Sequence, residues 1–174
     1  MTEPELCAPI DDLGARDALG SWRWLVGSNA EPRLLTAMGD LFIVSASKVF
    51  LLDTYAGEML KIVDDWSTFK ARTANPDEEV SIWFKYDLLH ELLDQGMFLS
   101  LGQCFSPIVP PVIGGKYEPG NFMPTPWLAH VSGMGQVHQQ VRNLPPGTKI
   151  AGINIEWLRG APEPGASRSS TLRS

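Results

Sequence analysis

Apolar positions change period several times along the chain. From Asp17 to Val26 the order Ala18, Trp22, Leu25 follows one face of a helix, and Gly27 supplies its stop, so a short helix is predicted. Leu41 to Val44, Lys48 to Asp53 and Glu58 to Val63 are short β-rich runs. Ser45-Ala46-Ser47 and Thr54-Tyr55-Ala56-Gly57 separate them, which predicts a three-stranded antiparallel meander. Asp65 can cap a short helix reaching Phe69, ended by Asn75-Pro76. A longer helix is predicted from about Glu79 to Gln95, closed by Gly96. Ile82, Trp83, Tyr86, Leu89 and Leu93 would line its apolar face, with Glu79, Asp87, Glu91 and Asp94 opposite.

The second half is more broken. Residues 97–115 read as a strand followed by an ordered Pro/Gly loop, and Pro107, Pro110 and Pro111 exclude a central strand there. Tyr117 to Pro126 is turn-rich, Leu128 to Val131 reads as a strand, and Met134 to Asn143 as a helix with Met134, Val137, Val141 and Leu144 on one stripe. Pro145-Pro146-Gly147 ends that helix, and Lys149 to Trp157 alternates as a last strand with Ile153 and Ile155 on one face. Residues 1–16 form an acidic, flexible arm and 17–158 a single domain, while residues 159–174 hold too little to bury and are expected to be disordered. The sum is one α+β domain, with an antiparallel sheet of the N-terminal meander plus later strands packed against helices.

Composition and charge narrow the partners. The chain has 174 residues, of which 44% are hydrophobic and 20% charged, an ordinary globular balance. A domain of this size buries roughly 70% of its unfolded surface, so neither a disulfide nor a structural metal is needed. The longest aliphatic and aromatic runs, Leu41 to Val44 and Val49 to Leu52, fall far short of the roughly 20 residues of a membrane span. The acidic start lacks the basic and apolar parts of a signal peptide, and a soluble cytoplasmic protein is expected. The net charge is −6, and with three arginines against one glutamate after residue 158 the body is more acidic still. Such a body repels phosphate backbones, which argues against nucleic acid, and suits a basic protein partner, although acidic surfaces also serve plain solubility. The densest acidic patch is Asp77, Glu78, Glu79, Asp87, Glu91 and Asp94, the first charged surface to test for a partner.

The catalytic inventory is thin. Cys7 and Cys104 have no metal-ligand spacing, and Cys104 lies in an apolar stretch as a small buried residue would. His90, His130 and His138 form no metal motif, so no metal and no cofactor are expected. A Cys104–His138 dyad is the sharpest nucleophile hypothesis, since a thiolate needs a neighbouring base, but nothing in the spacing supports it. It stands as the alternative reading, a small-ligand-binding protein or an enzyme. Gly133-Met134-Gly135 ends in His138 where a dinucleotide loop needs glycine, and Gly114-Gly115-Lys116 lacks the rest of a phosphate loop.

Three ordered segments carry a resemblance. Gly39-Asp40-Leu41-Phe42 is followed by Val49 to Thr54 and then Gly57-Glu58. Gly102-Gln103-Cys104-Phe105 leads to Pro110-Pro111-Val112-Ile113-Gly114-Gly115, and Gly135-Gln136-Val137-His138-Gln139-Gln140-Val141 leads to Leu144-Pro145-Pro146-Gly147. In this order, over about residues 20–155, the chain resembles the C-terminal domain of bacterial type VI secretion immunity proteins that protect against DNase effectors, a domain broadly similar to the SUKH (SMI/KNR-like) folds. The resemblance implies a non-catalytic cytoplasmic protein that binds and neutralises a cognate toxin, as a 1:1 or 2:2 complex, with a homodimer compatible with it. Physically, Gly39, Gly57, Gly114 and Gly115 would supply turns, and Asp40 and Asp53 would brace strand ends. Gln103, Gln136, His138 and Gln140 would stitch loops internally or line a cleft, with internal stitching favoured.

Overall fold

The computed structural model describes residues 7–9, 12–145 and 147–156. The rest of the expected arm, Pro146 of the helix-ending turn, Trp157 and the tail 159–174 lie outside the described residues. Within the expected arm, Cys7–Pro9 is strand β1, paired antiparallel with β2 (Glu31–Thr36). Helix α1 (Asp12–Ala18), a 3-10 turn (Leu19–Trp22) and α2 (Arg23–Val26) follow, so the expected helix from Asp17 is divided into three pieces that do stop at Gly27.

The meander forms as expected, with β3 (Leu41–Ser45), β4 (Lys48–Asp53) and β5 (Glu58–Val63). The five strands pair in sequence order, all antiparallel. Strand β2 carries no clear alternation. Pro32 is tolerated because the β2–β3 register shifts between Pro32 and Leu34, a bulge that absorbs the missing donor. The apolar runs of β3 and β4 are what a sheet covered on both faces requires. Leu41, Ile43 and Leu52 face Trp22, Val131 and Met134, while Phe42, Val49 and Leu51 face Phe69, Val80, Trp83 and Phe84.

Helix α3 (Trp66–Thr73) begins on Asp65, whose carboxylate accepts from Thr68 N at 2.8 Å. The expected single helix 79–95 is instead two, α4 (Glu78–Phe84) and α5 (Tyr86–Asp94), broken at Lys85 with φ 54°. No glycine or proline announces that break. Its cause is tertiary: the left-handed residue points the Lys85 ammonium inward. Strands β6 (Gln103–Pro107) and β7 (Phe122–Pro126) make a separate two-stranded ribbon, whose short edges accept the prolines. Between them the Pro/Gly loop is tied by Asn121, which accepts from Val109 N at 3.0 Å and donates to the carbonyls of Val109 and Lys116 at 2.8 Å.

Two expected strands are corrected. Leu128 to Val131 belongs to α6 (Trp127–Val141), which starts directly after Pro126, because a run that short carries no reliable period. Lys149 to Trp157 makes no ladder among its described residues, and 154–156 lie against α6 through Gln136 and Gln140. Helix α6 crosses the 3-10 turn at Gly135, where a Cβ would come within 2.3 Å of Ser21 Oγ, and Trp22 Nε1 donates to the Val131 carbonyl at 2.7 Å.

The β3–β4 hairpin turns on Ala46 (φ 48°) and Ser47 (φ 65°), a geometry that favours Asn-Gly. Replacing the pair (Ala46→Asn with Ser47→Gly) should stabilise by about 1 kcal/mol, read as a thermal midpoint raised by roughly 2–4 °C.

Candidate functional site

Two sites emerge, a buried polar centre and an apolar groove beside it. The centre begins with Asp40, fully buried at the β2–β3 turn. Its Oδ1 accepts from Thr54 N at 2.9 Å and Thr54 Oγ1 at 3.0 Å, and its Oδ2 from Lys85 Nζ. Lys85 also lies 3.1 Å from Asp53 and 4.4 Å from the centre of the Tyr55 ring. Asp53 in turn accepts from Tyr55 N at 2.9 Å and Ala56 N at 3.0 Å, folding the β4–β5 turn. Both aspartates thus brace strand ends. The lysine that joins them came with no sequence signal, because its partners are far away along the chain.

Two histidines of α6 complete the centre. His130 lies 3.0 Å from Thr54 Oγ1 through Nε2 and 2.9 Å from Ser106 Oγ through Nδ1. Because the Thr54 hydroxyl proton goes to Asp40, the consistent assignment has His130 Nε2–H donating to Thr54 and Nδ1 accepting from Ser106. Burial, with Lys85 nearby, pulls the imidazole down to about 3, so it is neutral near pH 7. A serine–histidine pair at this distance is the geometry of a hydrolase, but an imidazole this weakly basic is a poor proton acceptor in the working range. Burial also lowers His138, whose Nε2 lies 3.1 Å from the Thr54 carbonyl and whose ring meets Trp22 at 5.5 Å. Asp40 is pushed up to about 6 by burial, against the pull of Lys85. Tyr55 closes the centre by donating to the carbonyls of Met38 and Phe105.

The Cys104–His138 dyad is not assembled. Cys104 sits against the β2–β3 turn, fully buried, where burial pushes the thiol well above its ordinary value and no hydrogen bond joins it to His138. Gly39 and Gly57 are turns, as expected, but each is also a seat for a histidine. A Cβ on Gly39 would approach His130 to 2.4 Å, and one on Gly57 would approach His138 to 2.3 Å. Gly114 is left-handed in open space, and Gly115 is pressed on the Val109 carbonyl. Pro111 starts a 3-10 turn (Pro111–Ile113) after Pro110, and Gln103 accepts from Ser100 N at 2.9 Å.

The six acidic residues are all exposed but not equivalent. Asp77 caps α4 through Val80 N at 2.9 Å and pairs with Arg72 at 2.7 Å, and Glu79 pairs with the same arginine at 3.0 Å. The side chains of Glu78, Asp87, Glu91 and Asp94 take part in no hydrogen bond or ion pair among the described residues. The break at Lys85 puts Glu78 on α4 and the other three on α5, so the patch spans two helices rather than one face.

The groove has a volume of about 240 Å³ and lies between the β6–β7 ribbon and α6, lined by Ser106, Ile108, Met123, His130, Gly133 and Ile155 among others. Its rim leaves Ile108 58% and Met123 44% exposed. Gln136 and Gln140 hold the extended segment beside it. Gln136 donates to Glu156 O at 2.7 Å and accepts from Glu156 N at 2.6 Å. Gln140 does the same to Asn154, at 2.7 Å and 3.2 Å. The match is geometric, since four helical residues rise about 6 Å and two strand residues about 6.6 Å. Ile155 lies between, its Cδ1 positioned 4.0 Å from where a Cβ on Gly133 would be. Four exposed hydrogen bonds at about 1 kcal/mol each and the partial burial of Ile153 and Ile155 stand against at least about 1 kcal/mol of backbone entropy per residue, so the segment is held near balance. Among the described residues no cluster of three or more His, Cys, Asp or Glu could hold a metal ion.

The Gly57→Ala variant should lose about 2–4 kcal/mol, from its left-handed φ and the clash with His138, whereas Gly114→Ala should lose about 1 kcal/mol. Urea unfolding of the two variants measures the difference. Stability should also fall as pH drops below 6.5. From there down to about 3 the unfolded chain binds a proton that buried His130 refuses. His138 acts in the same sense. Asp40 opposes them, because its carboxyl takes up a proton near 6 in the fold but only near 3.8 when unfolded. The urea midpoint of the wild type should therefore decline between pH 7 and 4.5, and that of His130→Gln should start lower and decline less.

Residues 64–138, from the start of α3 through most of α6, match the family model described as T6SS immunity protein Tdi1, C-terminal. No curated protein matches the chain. Among solved structures, the crystal structure of Atu4351 from Agrobacterium tumefaciens is similar in fold, with a TM-score of 0.56 at 16% identity over 77% of this chain and 68% of that one. The resemblance carried by the ordered motifs is thereby supported: residues 64–138 are similar to the C-terminal domain of a type VI secretion immunity protein.

Proposed function

We propose that this chain is an immunity protein that binds and neutralises a cognate toxin of a type VI secretion system, a nuclease in our reading, in the cytoplasm and without chemistry of its own. The observation that carries the reading is the family match over 64–138, which covers the acidic helices α4 and α5, the Pro/Gly loop and most of α6. The chemistry of the surface is consistent with it. The titratable groups at the centre are buried and engaged with one another, while Glu78, Asp87, Glu91 and Asp94 lie exposed with no partner among the described residues. A basic toxin would be steered to that face, since complementary charge mainly raises the association rate.

The test is a growth assay in which the neighbouring reading frame is induced in a bacterial host with and without this protein. Killing by the neighbour and rescue by this chain is the expected outcome. Killing without rescue would end the pairing. With the complex in hand, charge reversal of Glu78, Asp87 and Glu91 to lysine should slow association about tenfold or more at low salt and leave the melting curve unchanged. Asp77 and Glu79 are left intact because they cap α4 and hold Arg72. An unchanged association rate would remove this face as the steering surface.

A further inference from the structure

The segment lying along α6 is a ligand held by the chain itself. Its backbone is recognised at two alternate residues by Gln136 and Gln140, and of its two half-buried isoleucines Ile155 rests over Gly133. This recognition reads backbone plus one aliphatic group, because the hydrogen bonds of both glutamines to the segment go to its backbone. We propose that the groove between the β6–β7 ribbon and α6 docks an extended segment of the partner protein, one with a branched aliphatic residue in the place of Ile155, and that residues 153–156 are its displaceable cover. Only the source of that segment, the toxin, rests on the immunity reading.

Three observations support displacement. The cover leaves about 240 Å³ of the groove open, so a better-fitting side chain has room. The apolar rim formed by Ile108 and Met123 stays exposed with the cover in place. Asn154 and Glu156 are themselves exposed, so their hydrogen bonds to the glutamines compete with water. A partner strand using the same four hydrogen bonds and adding contact to the rim displaces the tethered one when that added contact outweighs the tether's advantage in effective concentration.

The probe is a fluorescent, end-blocked pentapeptide with the sequence of residues 152–156, titrated into the full chain by anisotropy. Two variants loosen the cover: Ile155→Asn, which removes the inward group, and Asn154→Pro, which removes one donor at an exposed position. The peptide should bind each variant at least tenfold more tightly than the wild type. Adding Gln136→Ala and Gln140→Ala should abolish that gain while circular dichroism stays unchanged, and a peptide with aspartate in place of the second isoleucine should not bind. Absence of binding to both loosened variants, or binding indifferent to the glutamines, would overturn the proposal. The growth assay needs no peptide and this titration needs no toxin, so failure of one reading is separable from failure of the other.

Discussion

A buried carboxylate is tolerable only if it is completely paired, and Asp40 imposes that requirement on the whole molecule. Its partners come from separate elements: Thr54 from the β4–β5 turn, Lys85 from the α4–α5 break and, through Thr54, His130 of α6. The sheet alone would be satisfied by any apolar cover. The centre adds orientation, because the α4–α5 break must present Lys85 and α6 must present His130 within hydrogen-bond distance. That requirement accounts for the left-handed Lys85 and for glycine at two turns where a histidine ring fills the space a Cβ would take.

The pattern of the sequence exposes what is local. Strands β3 to β5 follow from uninterrupted apolar runs and turn residues, and the Asp65 cap from one residue type at a helix start. What was illegible is tertiary. Lys85 has no propensity that breaks a helix, and only its distant aspartates explain it. Leu128 to Val131 is too short to reveal a period and takes helical form because α6 packs on Trp22. Ile153 and Ile155 do alternate as a strand would, but their ladder is made by glutamine side chains four apart on a helix, a pattern that no strand rule contains. Of the candidate residues, Gln136, Gln140 and His138 bond backbone groups of distant segments, and those partners were not readable in the sequence.

The two sites divide the labour. The polar centre fixes the relative placement of sheet and helices and is largely buried, with Lys85 and Asp53 at its partly exposed edge. The groove and the acidic helices are the exposed by-products of that placement, with His130 contributing to both as a member of the centre and a wall of the groove. Surface contacts can therefore vary without touching the framework.

The centre also decides where the chain can be cut. The family match opens at residue 64, just past the meander. Yet Lys85, His130 and His138 inside it depend on Asp40, Asp53 and Thr54 before it. An excised 64–138 fragment would carry a lysine and two histidines stripped of their counterparts, together with the bare apolar side of α3 and α4. The homologous stretch is thus a unit of sequence similarity and not a unit of folding, and expression boundaries drawn from it alone would yield an insoluble piece.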